Sequence, residues 1–304
     1  MTIDRVTVAG AGICCLDYII TAPRVEWGGA GRVVDFFIQG GGLVGTAMVA
    51  CARLGARCEL FSMLGDDAVA DEVTAEFARE GIETGRIARI RGGRSPLSFV
   101  HVDAASGERT IFHRPGENLT WDPRADLSAI AHCGAILIDD CYPDMSATCA
   151  LFAREHSVPV IGDMIPRPEN AELLRLVDIL IAPRHFVAGT PHPDDPVAAL
   201  DHILRLGPAT ALITLGADGL VYADASGRGR LDAFKVDVVD TTGAGDTFHG
   251  AYAYGVARGW ETARCAQFAS AVAAIKCTRP GGRTGLPSLD QTIEFLRSRG
   301  TLDW

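Results

Sequence analysis

Short apolar runs alternate along this chain with amphipathic stretches, and that alternation is what most narrows the folds open to it. The runs fall at residues 6–9, 58–63, 135–138, 158–161, 179–181 and 211–214, and each is short, largely β-branched or aliphatic and closed by turn residues. Such runs read as strands covered on both faces. Between them, residues 67–80 place Val69, Val73, Phe77 and Ala78 at helical spacing. Residues 145–156 do the same with Leu151 and Phe152, and residues 196–206 with Ala199, Leu200, Ile203 and Leu204. Strands alternating with helices make an α/β layered fold with a mostly parallel sheet. At 304 residues, 48% of them hydrophobic, one domain spanning 1–304 can bury a large core.

Two regions interrupt the alternation, about residues 13–40 and 96–114. In the second, Leu97 to Val102 and Thr110 to His113 form a hairpin pattern around Ser106 and Gly107. Both regions read as strands outside the main sheet. The apolar Phe36, Phe37 and Ile38 would then need a ligand or a partner to cover them.

Near the C-terminal end the chain runs Val238-Val239-Asp240-Thr241-Thr242-Gly243-Ala244-Gly245-Asp246-Thr247-Phe248-His249-Gly250. Phe248, Ala251, Tyr252, Gly255 and Val256 then repeat at three-and-four spacing, and Arg258-Gly259 supplies a stop, so a helix starts near Gly245. Residues with little or no side chain let the turn approach a ligand closely. The unpaired amides of the first helical turn and the helix dipole favour an anion there, such as a phosphoryl group in transit. Asp246 lies in that first turn. Its carboxylate is either a plain helix cap or a base, and the spacing leaves both readings open.

Gly10-Ala11-Gly12 at the other end invites a dinucleotide fingerprint. Cys15 stands where its third glycine belongs, and Cys14 to Ile20 is β-prone where a helix is required, so that reading is rejected.

The turn at Asp240 to Gly250 resembles the second signature of the ribokinase-like, or PfkB, carbohydrate kinases. Gly41-Gly42-Leu43-Val44-Gly45-Thr46-Ala47, continuing to Leu54-Gly55, resembles the first. Between them, Gly65-Asp66-Asp67 and Thr214-Leu215-Gly216-Ala217-Asp218-Gly219 resemble the family's G-D-D turn and its nucleotide-side turn. The resemblance spans nearly the whole chain. It implies a ribokinase-like three-layer α/β sandwich whose outlying strands form a small β-lid over the sugar, and a homodimer clasped through that lid. It implies ATP and Mg2+ as cosubstrate and cofactor, and transfer of the γ-phosphoryl group of ATP to a sugar hydroxyl.

By the same resemblance, Asp246 is the base and the amides of Gly243, Ala244, Gly245 and Asp246 hold the travelling phosphoryl group. A model aspartate titrates at about 3.9, far below an alcohol, but the proton need move only as the new P–O bond forms. Asp17, Gly41, Gly42, Thr46 and His113 line the sugar side. Thr214, Gly216, Gly219 and Thr242 lie along the nucleotide. Asp240, Thr242 and Gly281 resemble the family's monovalent-cation site, which takes K+, although Asp240 also reads as a cap of the turn. Each glycine could equally serve a turn that meets no ligand.

Two positions depart from the family pattern. Thr46 stands where an asparagine usually touches the sugar, and the Asn-x-x-Glu segment that organises magnesium is replaced by Ala182-Pro183-Arg184-His185-Phe186-Val187. Asp139, Asp140 and Asp163, at expected strand ends, are the other carboxylates available to a metal, or are satisfied turn carboxylates. The sulfofructose kinase branch, which the run from Ala233 to Gly250 and from Ala273 to Arg283 most resembles, departs at both positions too. A sulfonate or phosphate tail would need basic groups, for which Arg32, Arg109, Arg114 and His113 are the candidates. A nucleoside kinase of the same fold is the rival within enzymes and would sandwich a base between lid aromatics such as Phe99 or Phe112. A sugar sensor without catalysis is the rival outside them.

With 28 basic against 38 acidic residues the chain carries a formal charge of −10, which disfavours a nucleic-acid surface. Nine cysteines without metal spacing, and no leader-like or membrane-length apolar run, indicate thiols in a cytoplasmic, membrane-free setting.

Overall fold

The computed structural model describes residues 6–25, 28–106, 109–301 and 304. The chain opens with β1 (Thr7–Ala11), β2 (Cys15–Ala22), β3 (Asp35–Gly41), α1 (Leu43–Arg53), β4 (Arg57–Gly65), α2 (Ala68–Arg79) and β5 (Ile87–Ile90). The expected hairpin follows as β6 (Leu97–Asp103) and β7 (Arg109–Arg114); Gly107, at its tip, lies outside the described residues. Next come β8 (Ala135–Asp139), α3 (Pro143–Glu155), β9 (Val160–Asp163), α4 (Ala171–Leu174), β10 (Ile179–Pro183), α5 (Pro196–Leu206) and β11 (Thr210–Thr214). The chain closes with β12 (Leu220–Asp224), β13 (Gly227–Leu231), α6 (Ala244–Ala257), α7 (Thr262–Lys276) and α8 (Leu289–Ser298).

Nine strands form one sheet in the order β13-β12-β11-β10-β9-β8-β1-β4-β5, parallel from β11 to β5 and antiparallel at β11-β12-β13. Every strand expected from an apolar run is present. Alternate residues of each strand enter two separate cores. Val8 and Leu60 pack with α1, α2, α6 and α7, whereas Ala9, Ala11 and Phe61 pack with α3, α4 and α5. The chain order reverses at β1, which has β8 on one side and β4 on the other, and ligands gather outside the carboxyl ends of strands at such a reversal.

Two helices differ in part from the faces the spacing predicts. In α2 the buried row is Ala70, Val73 and Phe77, and Ala78 is exposed; in α3 it is Met145, Cys149, Ala150 and Ala153, and Leu151 is 51% exposed. In α2 the expected Val73 and Phe77 are buried and only Ala70 replaces Ala78, whereas the α3 stripe is shifted by one residue from the expected Leu151 and Phe152. Phe248 and Tyr252 of α6 are buried as expected, each contributing about 1.5–3 kcal/mol. Gly250 allows the closest crossing: a Cβ there would sit 2.2 Å from the Ala47 carbonyl oxygen of α1. That contact brings together the two helices that begin at Gly42 and Gly243.

The remaining four strands form a second sheet, β3-β2-β6-β7. Its register places Gln39, Asp17, Ser98 and His113 in one row across all four strands. Tyr18, Phe99 and Phe112 are one residue on and so occupy the opposite face, with Tyr18 and Phe99 stacked at 5.3 Å. No helix among the described residues is long and apolar enough to cross a membrane.

Candidate active site

Gly243 starts α6 in a left-handed conformation, φ 70°, which a side chain would resist, and it packs against Gly282. The N-cap residue, Gly243, has no side chain to offer this helix end, and among the described residues no capping hydrogen bond to Asp246 is found. The Ala244 amide is committed to the Thr241 carbonyl at 3.1 Å, which removes it from the expected set of anion donors. Among the described residues, that leaves the amides of Gly243, Gly245 and Asp246 for an anion.

Asp246 faces a buried acidic environment. Burial and the negative charge of Asp163 push its carboxyl up, to about 7, against the opposing pull of His249. Its ordinary aspartate value is therefore not kept. His249 is buried, with Nδ1 2.8 Å from the Gly245 carbonyl and Nε2 3.2 Å from that of Ile181; burial lowers its pKa. Asp163 Oδ1 lies 3.4 Å from His249 Nε2, and Asp163 Oδ2 is buried with no partner among the described residues.

The other two strand-end carboxylates are satisfied. Asp139 accepts the amides of Ile13 at 2.7 Å and Cys141 at 3.0 Å, and Asp140 accepts the Asn170 side-chain amide at 2.8 Å. Asp67, in the G-D-D turn, caps α2 and also accepts both donors of Ser95.

On the sugar side, Asp17 lies against Gly41, where a Cβ would meet its carboxylate at 2.1 Å. Burial raises its pKa, while hydrogen bonds from Cys15 and Ser98 and the charge of Arg283 oppose this. Ser98 Oγ is 3.2 Å from His113 Nδ1, and Ser98 stands opposite Asp17 in the sheet register, with the Cys15 thiol donating to Asp17 at 3.3 Å. Gly42 is the N-cap of α1, and its carbonyl accepts the Thr46 amide at 2.9 Å.

Arg283 is the residue that sequence reasoning missed. Its side chain is 1% exposed and reaches three segments at once: Nη1 pairs with Glu76 at 2.8 Å, Nη2 donates to the Gly41 carbonyl at 2.9 Å and Nε to Thr46 Oγ1 at 3.3 Å. Thr46 is 2% exposed, so its hydroxyl serves this arginine behind the pocket wall. The only prior signal was an arginine set among glycines beside the anion turn.

Asp240 accepts the amides of Thr242 and Gly281, each at 2.7 Å, which brings together the three residues expected around a monovalent cation. A fourth group is already there. Lys276, fully buried, donates its ammonium to the Asp240 carbonyl at 2.9 Å. Among the lid arginines, Arg109 donates to Thr241 Oγ1 at 2.6 Å and Arg114 to the Ser95 carbonyl at 2.7 Å, while Arg32 lies on an exposed loop. They do not converge.

Thr214 ends β11, and the Gly216 and Gly219 turn is closed by the Leu215 amide on the Gly219 carbonyl at 2.7 Å. Beside it a cavity of about 420 Å³ is lined by Arg184, Leu215, Asp218 and Arg230. Arg184 donates to the Leu215 carbonyl at 2.7 Å and pairs with Asp218, so the departing Asn-x-x-Glu segment is fastened to this turn.

Comparison with known proteins identifies the family and the fold. The family model described as pfkB family carbohydrate kinase matches residues 7–289. A ribokinase of Haemophilus influenzae is 29% identical over 96% of this chain and 99% of its own length. A nucleoside kinase of Methanothermobacter thermautotrophicus is 26% identical over 100% of this chain and 98% of its own. The structure of Arabidopsis thaliana ribokinase complexed with ribose and ATP superposes with a TM-score of 0.85 at 22% identity, covering 96% of this chain and 99% of that one.

Proposed function

Because the chain belongs to the pfkB family of carbohydrate kinases, whose members are phosphotransferases acting on an alcohol group, we propose that it moves the γ-phosphoryl group of ATP to a hydroxyl of a sugar or sugar-bearing acceptor. One observation carries the reading: α6 opens with the amides of Gly243, Gly245 and Asp246 unpaired among the described residues, beside the Asp246 carboxylate in its first turn. Asp246 takes the acceptor's proton as the P–O bond forms, and its raised pKa keeps it a usable base near neutrality. The amides of Gly243, Gly245 and Asp246 hold the equatorial oxygens, and losing one such donor costs about 3 kcal/mol of barrier. Asp17 orients the acceptor against Gly41 and Gly42, with Ser98 and His113 behind it. Thr214, Gly216, Gly219 and Thr242 border the nucleotide.

Asp163 fits magnesium. Its Oδ2 is an orphaned carboxylate oxygen near Asp246, and magnesium needs only one or two protein carboxylates when phosphate oxygens and water complete its shell. Bound there, the ion would neutralise charge on the phosphates. A sulfonate-bearing acceptor is not favoured, since Arg109 and Arg114 are engaged elsewhere. Phe36, Ile38, Phe99 and Phe112, each about half exposed on the outer lid face, suit a second copy of the lid. A monomer by light scattering would remove that dimer.

ADP release with ATP and magnesium, measured across ketoses, aldoses, sulfosugars and nucleosides, tests the reading. Transfer to one class supports it. Sugar binding without ADP release would make the protein a sensor.

A further inference from the structure

Arginine supplies nearly all the positive charge of this chain: among its 28 basic residues only Lys235 and Lys276 are lysines. Lys276, the last residue of α7, is fully buried. Its ammonium donates to a carbonyl rather than a carboxylate, that of Asp240 at 2.9 Å. A buried charge without a close counterion is costly, so a lysine kept there calls for a use. Burial lowers its pKa, and the negative charges of Asp240 and Asp246 oppose this while Arg109 repels the ammonium. The cation therefore lies within electrostatic reach of the base at the anion turn.

Asp240 joins two loops. Its carboxylate takes the amides of Thr242 and Gly281, its own amide donates to the Cys277 carbonyl at 3.2 Å, and its carbonyl takes the ammonium. Gly243 packs against Gly282 of the second loop, so a shift at Asp240 would move the amides that open α6. K+, which the resemblance places among Asp240, Thr242 and Gly281, does not fit these residues. The Asp240 oxygens already hold proton donors and an ammonium sits on the carbonyl. The Thr242 hydroxyl is buried without a partner among the described residues, but one oxygen does not replace an ion's water shell. An ammonium is a compact point charge like such an ion, whereas a guanidinium is a planar fork, which accounts for a lysine in a chain otherwise built with arginine.

We propose that Lys276 is a built-in cation, a positioning residue that takes the place of a bound monovalent ion. It holds the Asp240 carbonyl, keeps the amides of Gly243, Gly245 and Asp246 aimed at the travelling phosphoryl group, and sets a fixed positive charge behind them. The phosphoryl group in this statement rests on the kinase reading. The occupied cation position does not.

The test compares potassium chloride with tetramethylammonium chloride, whose cation is too bulky for the position, and reads turnover with ATP and magnesium, ATP affinity by calorimetry, and Tm. The wild-type protein is expected to give the same three values in both salts. Lys276→Ala, which removes the charge and leaves its space, should lower kcat about a hundredfold in tetramethylammonium with little change in acceptor KM. Potassium or methylammonium should recover about tenfold of that loss, the remainder going with the tether. Lys276→Met, which fills the space, should lose as much and recover nothing. Potassium stimulation of the wild-type protein overturns the inference without any variant and leaves the kinase reading intact. So does a Lys276→Ala variant that keeps its turnover, or one that loses it at unchanged Tm and regains none in either cation. A Lys276→Ala variant that folds only in potassium or methylammonium supports the inference through Tm. ATP affinity restored to it by potassium, with no ADP release from any acceptor, supports the built-in cation and removes the kinase reading.

Discussion

Replacing Glu76 with Gln tests the buried clamp behind the acceptor wall. The change removes the charge facing Arg283, whose guanidinium is almost fully enclosed, and leaves that cation without its direct ion-pair partner among the described residues. Breaking a buried pair by removing one partner costs about 3–5 kcal/mol. The Glu76 side chain is 16% exposed, and Gln retains an acceptor for the Gly40 amide now held at 2.5 Å, so the lower end applies, about 3 kcal/mol. For a chain of this size that is a fall in Tm of about 6 °C. Replacing both residues with Met should restore most of the stability, because no uncompensated charge is left. Activity should not return, since the Gly41 carbonyl and Thr46 hydroxyl stay without their donor, and KM for the acceptor should rise more than KM for ATP. Urea unfolding of Glu76→Gln, of Glu76→Met and Arg283→Met, and of the Met double, with steady-state kinetics, measures all of this. A Glu76→Gln loss below about 0.5 kcal/mol, or losses that simply add in the double variant, would refute the clamp.

Turnover at limiting acceptor should rise with pH through about 7 as Asp246 ionises, and a flat profile from pH 5 to 8 would contradict its role. The same shift affects stability. Asp139, Asp163 and Asp246 hold their protons more tightly folded than unfolded, so their stabilising contribution is full below about pH 4 and is lost as pH rises through about 7. Asp163→Asn should therefore raise Tm at pH 8 while raising the magnesium needed for half-maximal turnover about tenfold, and a Tm that falls would sink this account. Since Lys276 already places an ammonium against Asp240, rates in sodium and potassium should match; strong potassium stimulation would show that a second cation is still required.

Sequence reading located the main strands and the start of α6 because those signals are local: an uninterrupted apolar run, a glycine that must turn left-handed, a stop at Gly259. Asp246 was legible for the same reason, lying in the first turn after Gly243 and Gly245, whereas Asp17 and Asp240 were expected from the family resemblance alone. Arg283 was not, since Glu76 and Thr46 are 207 and 237 positions away and only the assembled fold brings them together. The role of Phe99 and Phe112 depended on strand register, where one residue of slip exchanges the two faces, and no residue in the hairpin declares which face meets the sheet. Ala244 was placed among the anion donors on position alone; the turn that closes on Thr241 uses its amide first.

The central claim is that the free amides at the start of α6 hold the travelling phosphoryl group while Asp246 takes the proton of the acceptor alcohol. Single-turnover phosphoryl transfer by Asp246→Asn, with Tm and nucleotide affinity measured on the same sample, tests it most directly. The account predicts a rate lower by about three decades or more with fold and nucleotide binding retained. A variant that still transfers phosphate within about tenfold of the wild-type rate would contradict it.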